Sequence, residues 1–359
     1  MKKVGIVTLN GYINHGNRLQ NYALKTVMES LDFDVYTIRF ARLQRRKKFR
    51  LFLAKIKMWV ISPRRQWLER KRVKLFYRFS EQFLAETDKE FFLDDDLSAL
   101  NRQFDFLVVG SDQVWNPSMN LNSSVFFLTF ADSQKRIAYA PSFGIGDLPN
   151  EVKTAYKKWI SEIPYVSTRE KEGASIISEL MGRNVPVLVD PTMLLSKEEW
   201  GKISILPKYK PQGKYIVTYF LGDFDDENRT KILRLAEKNK CEIVHLGKPC
   251  INGAYISGPS EFISYIKDCE CCITDSFHGT VFSIIFEKNF WVFERQGSQS
   301  MYSRIETLLS KLNLEERKAT TLDNLDLLNH LDFSCVQKAV IQEREIALNY
   351  LKEALHVEE

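Results

Sequence analysis

The stretch KVGIVTLNGYINHGNRLQNYALKTVMESL, residues 3–31, decides the fold. Lys3 to Leu9 is an apolar run of strand length. Asn10 to Asn17 is a loop, and Arg18 to Leu31 carries Leu19, Tyr22, Ala23 and Val27 on one helical face. Such a strand–loop–helix unit, once repeated, builds a parallel sheet covered by helices. Repeats follow. Strands are predicted over 34–40, 104–109, 136–140, 165–168 and 187–189, and helices over 151–163 and 170–181. The pattern restarts after Gly213 with strands at 214–221, 241–246, 271–274 and 290–293 and helices at 227–239, 260–268 and 279–286. Ser260 is the expected cap of the helix it opens. The fold class is therefore α/β, with two Rossmann-like domains and a cleft between them. Residues 1–195 form the first domain, 196–213 a Pro- and Lys-rich linker, 214–334 the second domain, and 335–359 a C-terminal helix.

Composition narrows the class further. With 359 residues, 44% of them hydrophobic, the chain is long enough for two cores. No run approaches the roughly 18–20 apolar residues of a membrane span. The apolar run after Met1-Lys2-Lys3 is too short for a signal peptide. Six cysteines without an export signal are not a disulfide framework, so a cytoplasmic enzyme is expected. Cys269 and Cys272 form a CxxC pair with no second pair at zinc spacing; they read as buried apolar residues, and no metal is expected.

Charge is uneven. Residues 39–78 hold sixteen Lys or Arg and one acid, Glu69, so this segment carries +15 in a chain of net +5. Phe49, Phe52, Leu53, Ile56, Trp59 and Val60 recur there at helical spacing. This basic helical insertion suits an anionic membrane surface on the inner face of the plasma membrane. It equally suits a solvated arm packed on its own domain. Nucleic acid is not expected, since no recognised binding module accompanies it.

Polar clusters stand where strands end, which is where ligands sit in such folds. Asn14, Gly16 and Asn17 open the first helix, either as an anion or sugar site or as a turn capped by Asn17. In Gly110-Ser111-Asp112-Gln113-Val114-Trp115-Asn116-Pro117, Asp112 is a candidate base that Gln113 and Asn116 would orient; the alternative is an Asx-turn and cap. Arg169 ends a short strand, as an anion fork or as a surface partner of Glu170 or Glu172. In Asp275-Ser276-Phe277-His278-Gly279-Thr280, His278 sits beside helix N–H donors, as an acid–base group or as a packing residue.

In combination, residues 16–24 (GNRLQNYAL), 109–117 (VGSDQVWNP), 166–170 (VSTRE), 190–192 (DPT) and 274–280 (TDSFHGT) resemble the polysaccharide pyruvyl transferase family over about residues 4–310. The resemblance implies a glycosyltransferase-B-like fold. It also implies transfer from phosphoenolpyruvate to two sugar hydroxyls, giving a pyruvate ketal and phosphate, without a cofactor. It implies a saccharide acceptor, lipid-linked through a polyprenyl diphosphate or free. His278 and Asp112 would be catalytic. Arg169, together with Ser276, Phe277, Gly279 and Thr280 of the second domain, would bind the donor. Asn14, Gly16, Asn17, Ser111, Gln113 and Asn116 would bind the acceptor in the first. Some members have arginine where this chain has Ser276, which leaves Arg169, Arg295 or Arg304 to meet the donor's charge. Two other functions remain open: a nucleotide-sugar glycosyltransferase of the same fold, and a non-catalytic carbohydrate-binding component.

Overall fold

A computed structural model describes residues 1–10, 14–41, 62–119, 123–222, 226–247, 253–295, 302–322, 325 and 331–357. The chain divides into two compact units. The first holds a six-stranded parallel sheet: β1 (Lys3–Val7), β2 (Asp34–Phe40), β3 (Glu86–Phe91), β4 (Phe106–Val109), β5 (Arg136–Ala138) and β6 (Tyr165–Val166). The spatial order is β3-β2-β1-β4-β5-β6. The second holds a five-stranded parallel sheet: β7 (Tyr215–Tyr219), β8 (Glu242–His245), β9 (Cys271–Thr274), β10 (Asn289–Phe293) and β11 (Lys318–Ala319), in the order β11-β10-β9-β7-β8.

The apolar runs are the central strands because a parallel sheet is covered on both faces. Val4, Ile6, Leu107, Val108, Val109, Cys271, Cys272 and Ile273 are all buried. Gly5 is glycine for room: a Cβ there would come within 2.9 Å of Leu107 and 3.0 Å of Ile38 and Phe104. In each sheet the strand order reverses once among central strands, between β1 and β4 and between β7 and β9. Ligands collect at the carboxyl ends of strands at such a reversal. This places residues 8–10, 14–20 and 110–117 at one reversal and 220–222 and 275–280 at the other.

Several expectations change. The strand β3 was not anticipated, because ETDKEF lacks an apolar run; it lies at the sheet edge, where one side needs no partner. Residues 187–189 make only an isolated bridge, Thr168 with Val187. The expected linker contains a helix, Lys197–Lys202, fixed by a capping box between Ser196 and Glu199. Gly258, not Ser260, precedes the helix Pro259–Lys267, with its N–H donated to Glu261 Oε2 at 3.0 Å.

The units also interleave more than the sequence suggests. The first comprises residues 1–66, 77–194 and 342–359, and the second 67–76 and 195–341. The basic helix Pro63–Phe83 thus gives its middle to the second unit. There Arg72 lies 4.5 Å from the Tyr255 ring centroid and Glu69 accepts from the Tyr255 hydroxyl. The apolar stripe Phe49, Phe52, Leu53, Ile56, Trp59 and Val60 lies outside the described residues. The C-terminal helix, Phe333–Ala354, starts in the second unit and ends in the first. No described helix is long and apolar enough to cross a membrane.

Candidate functional site

In the first unit, Gly110 turns the chain sharply at the end of β4. Its φ of +119° and the 2.1 Å that would separate a Cβ from Tyr139 O admit only glycine. The next residues fall into a buried polar network. Asp112 Oδ1 accepts from Gln113 N at 2.9 Å and from Arg169 Nη2 at 3.1 Å, and its Oδ2 accepts from Asn17 Nδ2. Arg169 Nη1 donates to Asp190 Oδ2 at 2.6 Å. The other Asp190 oxygen accepts from Thr192 N and Oγ1. Ser111 donates its hydroxyl to Ala140 O at 2.8 Å, and its N–H goes to Gln20 Oε1 at 3.0 Å. Glu170 Oε1 accepts from Ser142 Oγ and from the N–H groups of Phe143 and Gly144.

This geometry surrounds two of the expected site residues with partners. Arg169 was expected on the donor. It is 3% exposed, with both terminal nitrogens on carboxylates. Burial pulls its guanidinium down, but Asp112, Asp190 and Glu170 more than reverse that and hold it above its ordinary value. It is a buried counter-ion, not a surface partner of Glu170 or Glu172. Asp112 was expected to be a base. It accepts from a guanidinium and from two further N–H donors.

The other residues expected to bind the acceptor split. Asn14, not Asn17, caps the helix His15–Glu29, accepting from Asn17 N at 3.3 Å. Gly16 and Asn17 are buried in the first turn. Gln113 and Asn116 lie against Gly144, where a Cβ would meet Gln113 Nε2 at 2.3 Å and Asn116 Nδ2 at 2.8 Å. Sequence reading missed Gln20, Asp190 and Glu170. The signal for Asp190 was present in Asp-Pro-Thr, but nothing in the spacing tied it to Arg169, 21 residues away.

In the second unit, Ser276 caps the helix Phe277–Ile285, accepting from Gly279 N at 3.4 Å. Thr280 Oγ1 donates back to Ser276 O at 3.1 Å. Gly279 allows Thr274 to approach, since a Cβ would lie 2.6 Å from Thr274 Oγ1. Ser276, Gly279 and Thr280, expected on the donor, thus build the turn that presents its neighbours. Phe277 and His278 occupy the first turn, their rings edge to face at 5.3 Å. Phe277 lines a recess with Asp275, Arg295, Tyr302, Arg304 and Ile305. Cys269, Cys271 and Cys272 are buried and burial pushes their thiols up, so they are poor ligands and poor nucleophiles. Among the described residues no group of three or more His, Cys, Asp or Glu is placed to hold a metal ion.

A model of the polysaccharide pyruvyl transferase family matches residues 14–297. No match was found among curated proteins. Similar solved structures include a putative UDP-N-acetylglucosamine 2-epimerase from Listeria monocytogenes, with TM-score 0.55, 10% identity, and coverage of 100% of this chain and 97% of that one. The UDP-GlcNAc 2-epimerase from Neisseria meningitidis bound to UDP-GlcNAc gives 0.52 and 12%, covering 99% and 94%. S. aureus MnaA with UDP gives 0.50 and 11%, covering 100% and 98%. At such identities they establish the fold alone, an α/β fold of the glycosyltransferase-B type.

Proposed function

The chain belongs to the polysaccharide pyruvyl transferase family, and on that premise we propose that it forms a pyruvate ketal on a saccharide from phosphoenolpyruvate. The carrying observation is His278, held in the first turn of a helix that starts at the reversal point of the second sheet. An imidazole there stands beside N–H groups that favour an anion, so it can meet a phosphate and deliver a proton. In the proposed reaction a proton adds to the methylene carbon of phosphoenolpyruvate and leaves an oxocarbenium-like C2. One sugar hydroxyl adds to C2 and loses its proton. The C2–O bond to phosphate breaks, phosphate takes the electron pair, and the second hydroxyl closes the ketal with loss of its proton. His278 is the acid. The Asp112–Arg169–Asp190 network fixes the loop 110–117 on the acceptor side.

The test is phosphate release from phosphoenolpyruvate with and without a sugar diol, alongside a thermal-shift screen against nucleotide sugars. Release should require the diol, and His278→Ala should lower turnover by ~10²–10⁴. Near-normal turnover in a folded His278→Ala protein removes that residue from the mechanism. Stabilisation by nucleotide sugars and not by phosphoenolpyruvate would favour glycosyl transfer.

A further inference from the structure

The helix Pro63–Phe83 sorts its residues by face. Its inner side is spent on packing. Arg72 is buried, with its guanidinium 5.8 Å from the Phe76 ring centroid and 4.5 Å from that of Tyr255. Gly258 lies so close to Leu75 that a Cβ there would come within 2.8 Å of it. Phe79 and Phe83 meet the Tyr22 ring edge to face, at 6.0 and 5.7 Å. Glu69, the one acid between residues 63 and 80, is half-buried and accepts from the Tyr255 hydroxyl.

The outer side is different. Arg64, Trp67, Lys71, Lys74 and Arg78 follow one another at three- and four-residue spacing, so they form one stripe, and all are exposed. Arg70 and Tyr77 are exposed beside it. Trp67 and Tyr77 are large rings left 47% and 45% exposed, and the Lys71 ammonium stands 3.5 Å from the Trp67 ring centroid. No acid joins this face before Glu81, in the last turn. Solvated helix faces ordinarily mix the two signs of charge. Five cations and two amphipathic rings without an acid match an anionic headgroup layer instead: the cations meet lipid phosphates, and Trp and Tyr rings seat at headgroup level. A nucleic-acid duplex would use the cations and leave the two rings in water.

We propose that this outer face of the helix docks on an anionic phospholipid bilayer, with Lys71, Lys74 and Arg78 on the headgroups and the Trp67 and Tyr77 rings seated among them. The face belongs to neither strand-end cluster, so the docking is independent of which donor the protein uses. Attraction of this kind is reversible and fades with salt, because the Debye length falls from ~10 Å at 0.1 M to ~3 Å at 1 M.

Co-sedimentation of the full chain with vesicles tests the docking, using phosphatidylglycerol mixed with phosphatidylcholine against phosphatidylcholine alone, at 0.1 M and 1 M salt. Binding should require the anionic lipid and fall at high salt. The triple variant Lys71→Gln, Lys74→Gln, Arg78→Gln should bind about a hundredfold more weakly, at about fivefold for each cation lost near the surface. Trp67→Ala keeps every charge and should bind severalfold more weakly, because an interfacial ring is lost. All four side chains are exposed, so unfolding midpoints should stay at the wild-type value and certify the folded state. Wild-type partitioning in either folded variant overturns the proposal, since the attraction would then come from another part of the chain. Equal binding to the two kinds of vesicle overturns it as well. So does tighter binding to a DNA duplex than to anionic vesicles at the same salt, which would assign the face to nucleic acid.

Discussion

The two strand-end clusters are built on opposite principles. Around Asp112 in the first unit, the carboxylates outnumber the guanidinium, and Arg169 is bonded on both sides. Around Asp275 in the second, the acid is satisfied by the backbone N–H groups of Leu221 and Gly222, with Arg295 Nε 3.6 Å away. The first arrangement is closed on itself: its charges spend their interaction on one another, and its worth is rigidity. The second holds its acid through the backbone of the neighbouring strand end. A count of charged residues at strand ends would treat the two alike; only the pairing tells them apart.

The sharpest way to break that comparison is Arg169→Met. Removing one partner of a buried ion network leaves Asp112 and Asp190 without a counter-charge, and such losses cost ~3–5 kcal/mol of stability. Denaturant titration of wild type and variant measures it. If stability holds and only phosphoenolpyruvate affinity drops, Arg169 serves the donor and the contrast between the clusters collapses.

Gly144→Ala is the next largest. Gly144 has a φ of +63°, and a Cβ would press on Gln113 and Asn116. The Gln113 amide could shift, but the left-handed backbone would still be strained, so a loss of about 1–3 kcal/mol is expected. An unchanged unfolding midpoint would show that the loop 110–117 is not as tightly held as its hydrogen bonds indicate.

The smallest effect belongs to Ser276→Ala in the second unit. Loss of the cap should cost ~1 kcal/mol of stability, with phosphoenolpyruvate affinity nearly kept. A large loss of affinity at unchanged stability would make the Ser276 hydroxyl a donor contact and blur the division between turn-building and ligand-binding residues drawn here.

What was legible in the sequence follows from physical range. The strands β1, β4 and β9 announce themselves because a buried parallel strand must be apolar on both faces. The edge strand β3 is hidden because half its environment is water. His278 is visible as a lone imidazole between a buried strand and a helix. The partners of Arg169 are not visible. Asp112 is 57 residues before it and Asp190 21 after, and only the sheet order brings them together. The recess shows the same limit. Arg295 and Arg304 are ordinary basic residues in the sequence, and their relation to Phe277 comes from two helix starts meeting at one place. The caps at Asn14 and Gly258 were misassigned by three and two positions, a shift that costs the helix little but changes which side chains are spent on it.

The interleaving of the units also governs the order in which the protein can be made. Synthesis proceeds from the amino end, so β1 to β6 leave the ribosome long before the residues that finish their unit. Tyr350 donates its hydroxyl to Ala138 O at 3.0 Å, and Ala347, Leu351 and Leu355 are fully buried there. The six-stranded sheet therefore waits, with an uncovered apolar patch, through translation of the entire second unit. That unit in turn needs residues 67–76, which emerge early. Neither half is a self-sufficient translation product, and a nascent chain stalled near residue 200 would present exposed core that a chaperone, rather than a folded neighbour, would have to cover.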